Sequence, residues 1–578
     1  MRAMNKCFYV TTAIDYVNGQ PHLGHAYEKI IADVIARARR SLGEEVFFLT
    51  GLDEHGQKVQ QAAQAEGKNP QAYCDALAAS WQDFVRTLGL SNDDFVRTTQ
   101  PRHKAVVQAI LSKLHAEGQF YKKKHKGFYS TTAESFLTEK DRLPDGTFDP
   151  GYGKVIELEE ENYYFNLHQH QSWLIEYIET NPDFIAPESR RNEVLGFLKN
   201  NDLEDLCISR PAARLNWGIP IPFDADFVTY VWFDALTNYI SVPCACGDPA
   251  IIDALTFIVD APSSSPHELS PAERIEILEF LRKTGKPTDI WPTHLFAPGS
   301  KDIDNPEERG RLLWWMAKAE GKSLHLWPAD LQIIGKDILK FHTVFWPIML
   351  KAMKLPLPKQ VLVHGWWQKD GEKLSKSTGN VVDPIAVINE WGLDAFRYYV
   401  VRELDIGPDG NWTDAGFRSR YQAELANGLG NLVNRSLSMI KRYRDGLIPR
   451  GANRLEKEIS ETRSRVIAAY RANGLQEALV QCGSLVTRAN QYIDQTSPFK
   501  LAKDPQRAGE LNDILHTLAE VCRALGTLLW PVIPGVSEKI QGQLGFPKTG
   551  TSLAEATAPI AEGHPIGGVF PLFPRKDV

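Results

Sequence analysis

The chain has 578 residues, of which 43% are hydrophobic and 24% charged, with a formal net charge of −7. That length exceeds what a single core organises, so three or four domains are expected. The negative balance excludes a generally polycationic nucleic-acid binder, while a local basic face would still suffice for phosphate contacts. No apolar run approaches the roughly 20 residues that cross a bilayer. Seven scattered cysteines point to a reducing compartment rather than a disulfide framework. The first strand begins within ten residues of Met1, which leaves no room for a leader and makes a cytoplasmic location the expectation.

Phe8–Thr12 is a short aromatic and β-branched run that reads as a strand. Ile31, Ile35, Ala38 and Leu42 recur at helical spacing, with Gly43 as a stop. His22-Leu23-Gly24-His25 therefore sits where a strand hands over to a helix. In an α/β sheet that is an anion site, because free backbone N–H groups and the helix dipole both favour negative charge. The same four residues are also compatible with a pair of surface or capping histidines. Val46–Leu49 reads as a second buried strand, running out at Thr50-Gly51-Leu52-Asp53, so Asp53 faces the crevice beyond a strand end or serves a turn. Lys122, Lys123, Lys124 and Lys126 form a basic run, read as a solvated face with contact to a nucleic-acid end as the alternative. Trp232, Ala235 and Tyr239 share one face of a helix that follows the strand Phe227–Phe233.

Between about 243 and 327 the chain carries Pro262-Ser263-Ser264-Ser265-Pro266 and two helix starts, Ser270-Pro271-Ala272-Glu273 and Asn305-Pro306-Glu307-Glu308. This reads as a small folded surface insertion. Leu331–Trp346 resumes a strand and a helix with Lys336, Asp337 and His342, and Val361–Trp367 is a further strand. Lys373-Leu374-Ser375-Lys376-Ser377 lies between the turn signals Asp370-Gly371 and Gly379-Asn380, so two lysines and two hydroxyls share a loop. From about Trp412 the pattern becomes helical: Ala423–Tyr443, Ser460–Asn473, Leu475–Tyr492 and Leu511–Leu529.

The two motifs, His22–His25 and Lys373–Ser377, resemble in this order the paired nucleotide signatures of class I aminoacyl-tRNA synthetases. Thr11–Gly19, Gly51–Gly56, Tyr230–Ala235 and Ile334–Asp337 narrow the resemblance to the methionyl-tRNA synthetase family, and it covers nearly the whole chain outside 243–327. A leucine- or cysteine-specific class I enzyme is the alternative, lacking here its editing domain or its zinc-binding cysteines. A non-enzymatic tRNA-binding paralogue is opposed by the intact His22, His25, Lys373 and Lys376.

The resemblance implies an α/β fold: a Rossmann-like class I synthetase catalytic domain with a connective insertion, followed by an α-helical bundle that binds the anticodon. The implied boundaries are 1–118 and 223–345 for the catalytic halves, 119–222 for the connective domain, 346–411 for the lysine-loop region and 412–578 for the bundle. It implies a methionine–tRNA ligase using ATP with Mg2+, with L-methionine and methionine tRNA as partners. His22, His25, Lys373 and Lys376 are the implied catalytic residues. Gly24, Arg210, Lys336, Asp337, Leu374, Ser375 and Ser377 join them around ATP, although Pro211 stands where the family usually has an acid. Ala13, Ile14, Tyr16, Asp53, Trp232, Ala235, Tyr239 and His342 are implied around methionine, whose thioether packs well beside aromatic rings. Ala13 and Asp15 replace residues frequent in relatives, and the sequence supplies no reason for Asp15. Asn431, Arg435 and Phe499 are implied at the anticodon, with Phe499 in place of a usual tryptophan. Gly127–Ala133 contains no cysteine where many relatives hold zinc, so no structural zinc is expected. The chain stops without the C-terminal module that dimerises some relatives, so a monomer is expected.

Overall fold

The computed structural model describes residues 6–17, 19–130, 135–137, 141–246, 248–255, 325–373, 381–546 and 552–574. Most of the insertion expected at 243–327, with both of its helix starts, lies outside the described residues, as do Leu374, Ser375, Lys376 and Ser377 of the lysine loop.

A parallel sheet organises the catalytic half. Its strands are β1 (Phe8–Thr12), β2 (Asp15–Tyr16), β3 (Val46–Asp53), β4 (Asp94–Arg97), β5 (Ile185–Ala186), β6 (Leu331–Gly335) and β7 (Val361–His364). β1 pairs with β3 on one side and β6 on the other, with Thr11 opposite both Leu49 and Gln332. β6 then pairs with β7 and β7 with β5. β3 also takes β4 and, at Leu52 and Asp53, the short β2. All pairings are parallel, so helices cover the faces and the strands read as continuous apolar runs such as Val46-Phe47-Phe48-Leu49. The C-terminal ends of β1, β3, β6 and β7 (Thr12, Asp53, Gly335 and His364) share one edge of the sheet, where a crevice for ligands forms in such folds.

Helix Leu23–Ser41 packs on this sheet through Ala26, Ile30, Ile31, Val34, Ile35 and Ala38, and it stops before Gly43, whose φ of 83° suits glycine. The connective module is a four-stranded antiparallel sheet in the order Ser135–Leu137, Phe120–Ser130, Val155–Phe165, Leu206–Cys207. The basic run occupies its second strand. Lys124 lies opposite Glu161 and Lys126 opposite Glu159, while Lys122 pairs with Asp224 at 2.7 Å and Lys126 with Glu157 at 3.0 Å. The run is an exposed face, as the sequence reading has it, and Asp224 and the adjoining acidic strand meet its charges there. The boundary at 119–222 is also more interleaved than expected. β5, inside that range, pairs with β7, and the helices Gln171–Thr180 and Glu188–Asn200 bury Leu174, Ile178, Val194 and Leu198 in the catalytic core.

The C-terminal half is a helical bundle of Asn431–Tyr443, Glu456–Arg471, Leu475–Thr496 and Ala508–Leu528. The helix expected over Ala423–Tyr443 is present, with its first ten residues, Tyr421–Gly430, π-helical and running into Asn431–Tyr443. Buried leucines and valines at helical spacing, among them Leu437, Val466, Leu485 and Leu518, form its core.

Candidate active site

A cavity of about 580 Å³ opens at the C-terminal edge of the sheet. One part of its wall is apolar and aromatic. Ala13 and Ile14 come from the segment after β1, and Trp232, Ala235, Leu236 and Tyr239 come from helix Val231–Ala245. Trp232 is fixed by stacking on Phe341, with ring centroids 3.6 Å apart and planes 11° from parallel. The Tyr239 hydroxyl meets His342 Nε2 at 2.7 Å, while His342 Nδ1 lies 3.0 Å from the Ile338 carbonyl. A carbonyl only accepts, so Nδ1 carries the proton and Nε2 accepts from the tyrosine. Burial pushes His342 down to about 4, so the ring is neutral at pH 7.

The lining also includes Asp53, the last residue of β3, and Tyr16, whose ring carries Lys58 Nζ at 5.9 Å. His22, Gly24 and His25, at the start of the 19-residue helix Leu23–Ser41, line it as well. His22 is the N-cap, and its Nδ1 accepts the Gly24 N–H at 3.1 Å; His25 Nδ1 accepts the His22 N–H at 3.1 Å, closing a capping box. With both Nδ1 atoms accepting, each neutral imidazole keeps its proton on Nε2 and presents a donor. The rings stack 3.7 Å apart. A Cβ at position 24 would lie 3.0 Å from His22 Cε1, so glycine there leaves room for the imidazole to fold back over the helix end. The capping reading and the anion-site reading of the motif are thus one arrangement.

Of the expected site residues, Ala13, Ile14, Tyr16, His22, Gly24, His25, Asp53, Trp232, Ala235, Tyr239, Asp337 and His342 line this cavity. Lys336 and Arg210 do not. Lys336 Nζ pairs with Asp409 at 2.7 Å and lies 4.2 Å over the ring of Trp366, which does line the cavity. Arg210 is buried on the ribbon Ser209–Pro211, stacked on Tyr230 at 4.4 Å and donating to the Ser209 carbonyl at 2.8 Å. Lys373 ends the strand Glu372–Lys373; Val381 and Val382, where the described chain resumes, line the cavity. Asn431, Arg435 and Phe499 lie in the bundle, apart from this cavity.

The sequence reading missed several lining residues. Glu28, one turn after His25, accepts from or donates to His364 at 3.1 Å, and both line the cavity. Asn238 donates from Nδ2 to the Ala235 carbonyl at 2.6 Å, which leaves its buried Oδ1 in the cavity wall with no hydrogen-bond partner. Helical spacing from His25 and from Ala235 was the available signal for both. Next to this wall, Asp234 joins His55 Nδ1 at 2.6 Å and His103 Nε2 at 2.7 Å.

The family profile described as "tRNA synthetases class I (M)" matches residues 8–147, 152–248 and 310–437. This chain is a class I tRNA synthetase. The break in the match between 248 and 310 falls within the expected insertion. The synthetase is 37% identical to a methionine–tRNA ligase of Caldanaerobacter subterraneus over 100% of this chain and 80% of that protein. It is 38% identical to the methionine–tRNA ligase of Bacillus subtilis over 99% of this chain and 78% of that protein. The structure of Mycobacterium tuberculosis methionyl-tRNA synthetase in complex with methionyl-adenylate superposes with a TM-score of 0.80 at 32% identity, covering 99% of this synthetase and 100% of that chain.

Proposed function

We propose that this synthetase is a methionine–tRNA ligase and that the cavity at the sheet edge is where methionine is activated. The observation that carries the reading is the set of chemistries lining one cavity: an aromatic cleft, a carboxylate at Asp53, and two imidazoles at a helix N-terminus. The cleft of Trp232, Ala235, Tyr239 and His342 takes the thioether, and Asp53 takes the α-ammonium by a charge-assisted hydrogen bond. The methionine carboxylate attacks the α-phosphorus of MgATP, forming the P–O bond of the mixed anhydride as the bond to the β-phosphate oxygen breaks and pyrophosphate leaves. The 2′-hydroxyl of the terminal adenosine of tRNA then attacks the activated carbonyl, loses its proton and expels AMP. Catalysis of this kind rests on positioning and on stabilising charge. His22 and His25 serve the α-phosphate and ribose side, and Lys373 and Lys376 the departing pyrophosphate. Asp337 lines the nucleotide side of the cavity. Lys336 acts through Trp366 rather than by direct contact, and Arg210 by anchoring the ribbon that leads into helix Val231–Ala245. Asn431, Arg435 and Phe499 read the anticodon, in a bundle assigned to 412–578.

ATP–pyrophosphate exchange run with each amino acid separately tests the reading. Exchange is expected with methionine alone; exchange with another amino acid, or with none, rejects it. We further propose a cytoplasmic monomer whose connective module holds no zinc, supported by the cysteine-free stretch Gly127–Ala133. Elemental analysis with stoichiometric zinc, or light scattering with a stable dimer, would contradict the respective half.

A further inference from the structure

His55 and Asp234 stand outside the cavity lining, and both side chains are buried. Each is nevertheless next to residues that do line it: His55 comes two places after Asp53, and Asp234 lies between Trp232 and Ala235. His55 Nδ1 is 2.6 Å from Asp234 Oδ2, and His103 Nε2 is 2.7 Å from Oδ1. The Asp234 carboxyl is held down to about 2, so at neutral pH it only accepts and both ring nitrogens donate. One charge-assisted bond thus ties the segment after β3 to helix Val231–Ala245. The segment is built to keep that bond in one place. Side chains two apart on an extended chain leave on the same side, so His55 follows Asp53 toward the helix. Glu54, between them, instead accepts from Arg97 Nε at 2.7 Å. Gly56, at φ 116°, then turns the chain, a conformation that suits glycine. Trp217 clamps this turn, its Nε1 donating to the Glu54 carbonyl at 2.6 Å and its own carbonyl accepting the Gly56 N–H at 3.1 Å.

We propose that His55 is a positioning residue for the amino acid: through Asp234 it fixes the spacing between the Asp53 carboxylate and the cleft of Trp232 and Ala235. The inference rests on the reading in which Asp53 takes the α-ammonium and the cleft takes the side chain. Both of those groups hang from one Cα in methionine, so both contacts form together only where carboxylate and cleft are correctly spaced. In a preorganised site a misplacement of about 1 Å costs on the order of 100-fold. A compound without the ammonium needs the cleft alone and is indifferent to the spacing.

The test uses the full-length chain and compares methionine with 4-(methylthio)butanoate, which keeps the thioether and carboxylate but lacks the ammonium. Affinities for both are read from tryptophan fluorescence, alongside KM and kcat for methionine and ATP in pyrophosphate exchange. In His55→Leu, where His103 still holds Asp234, the preference for methionine over the analogue is expected to fall on the order of 10- to 100-fold. KM for methionine should rise with it, while KM for ATP stays close to the parent value. His55→Asn places an amide N–H where Nδ1 stands and is expected to restore most of the preference. Asp234→Asn weakens the same bond from the helix side and is expected to lower the preference too, so it decides should His55→Leu not fold. A preference unchanged in a folded His55→Leu or Asp234→Asn variant, or one that His55→Asn does not restore, overturns this proposal alone. A parent that binds the two compounds equally overturns the reading of Asp53 and the proposal with it.

Discussion

Asp234 shows how much a single residue beside the cavity does. Both of its oxygens are used, by His55 and His103, and His103 Nδ1 reaches Ser241 Oγ at 2.9 Å. Burial alone would raise its carboxyl, but the charges and hydrogen bonds of the two histidines hold it down to about 2. A carboxyl lower in the folded than in the unfolded chain contributes stability above its ordinary value of 3.8, and that contribution is lost as pH falls through about 2. Asp234→Asn should therefore cost roughly 2 kcal/mol at pH 7, a difference that urea melts should see shrink between pH 4 and 2. His342 behaves in the same direction for the opposite reason. Its buried ring is neutral, with a value near 4 against an ordinary 6.5, so the unfolded chain binds the extra proton in between. Its contribution is complete above pH 6.5 and fades toward pH 4, by roughly 3 kcal/mol. His342→Phe should flatten that part of the stability–pH curve; an unchanged slope would show that the ring titrates normally.

Helix Leu23–Ser41 is the element that joins the site to the rest of the chain. Its 19 residues rise about 28 Å, from the capped His22 to Arg39, which donates to the Arg471 carbonyl of the bundle at 2.9 Å. In the bundle, helix Leu475–Thr496 ends at Ser497 in the left-handed conformation (φ 45°), and Pro498 opens the short turn that carries Phe499. Phe499 is 48% exposed, among the few large apolar side chains left open to solvent. On the neighbouring helix, Arg435 pairs with Asp494 at 3.0 Å, close in sequence to that turn. An exposed aromatic ring can stack on an unpaired base, at about 1–3 kcal/mol. Phe499→Ala should lower tRNA aminoacylation several-fold and leave methionine-dependent pyrophosphate exchange unchanged. Equal losses in both assays would indicate a folding defect, and no loss in either would make the ring mere surface.

At the scale of the molecule, a buried charge cluster lies where the catalytic half and the bundle meet. Asp33 Oδ2 accepts from Arg37 at 2.7 Å and from Arg397 at 2.6 Å, while Oδ1 accepts from the Ser91 N–H and hydroxyl, each at 2.6 Å. Arg397 is fully buried and also donates to the carbonyls of Val532 at 2.8 Å and Leu88 at 3.1 Å. These carbonyls belong to the two halves, so a single guanidinium cross-links them. Removing one member of such a buried pair strands the other charge, at about 3–5 kcal/mol. Arg397→Met should therefore lower the melting temperature and open the junction to limited proteolysis. A variant as stable and protease-resistant as the parent would show that packing, not the ion pair, holds the halves together.

The sequence by itself determined local elements of the fold, and its resemblance to a known family named most of the cavity wall. Parallel strands buried on both faces need continuous apolar runs, and the strand-to-helix turn needs its small and capping residues, so Phe8–Thr12, Val46–Leu49 and His22–His25 were legible locally. Helical spacing puts Trp232, Ala235 and Tyr239 on one face, and the family resemblance, not the spacing, assigned that face to the cavity. What periodicity cannot encode is which charges meet across the chain. Asp15 with Lys29, Asp33 with Arg397 and Asp234 with His55 and His103 are pairs that only the folded sheet and helices bring within hydrogen-bonding distance. The placement of Arg210 and Lys336 outside the cavity lining was decided in the same way. Each found a buried or facing partner, and desolvation makes a charged side chain go where its partner is rather than where its motif points.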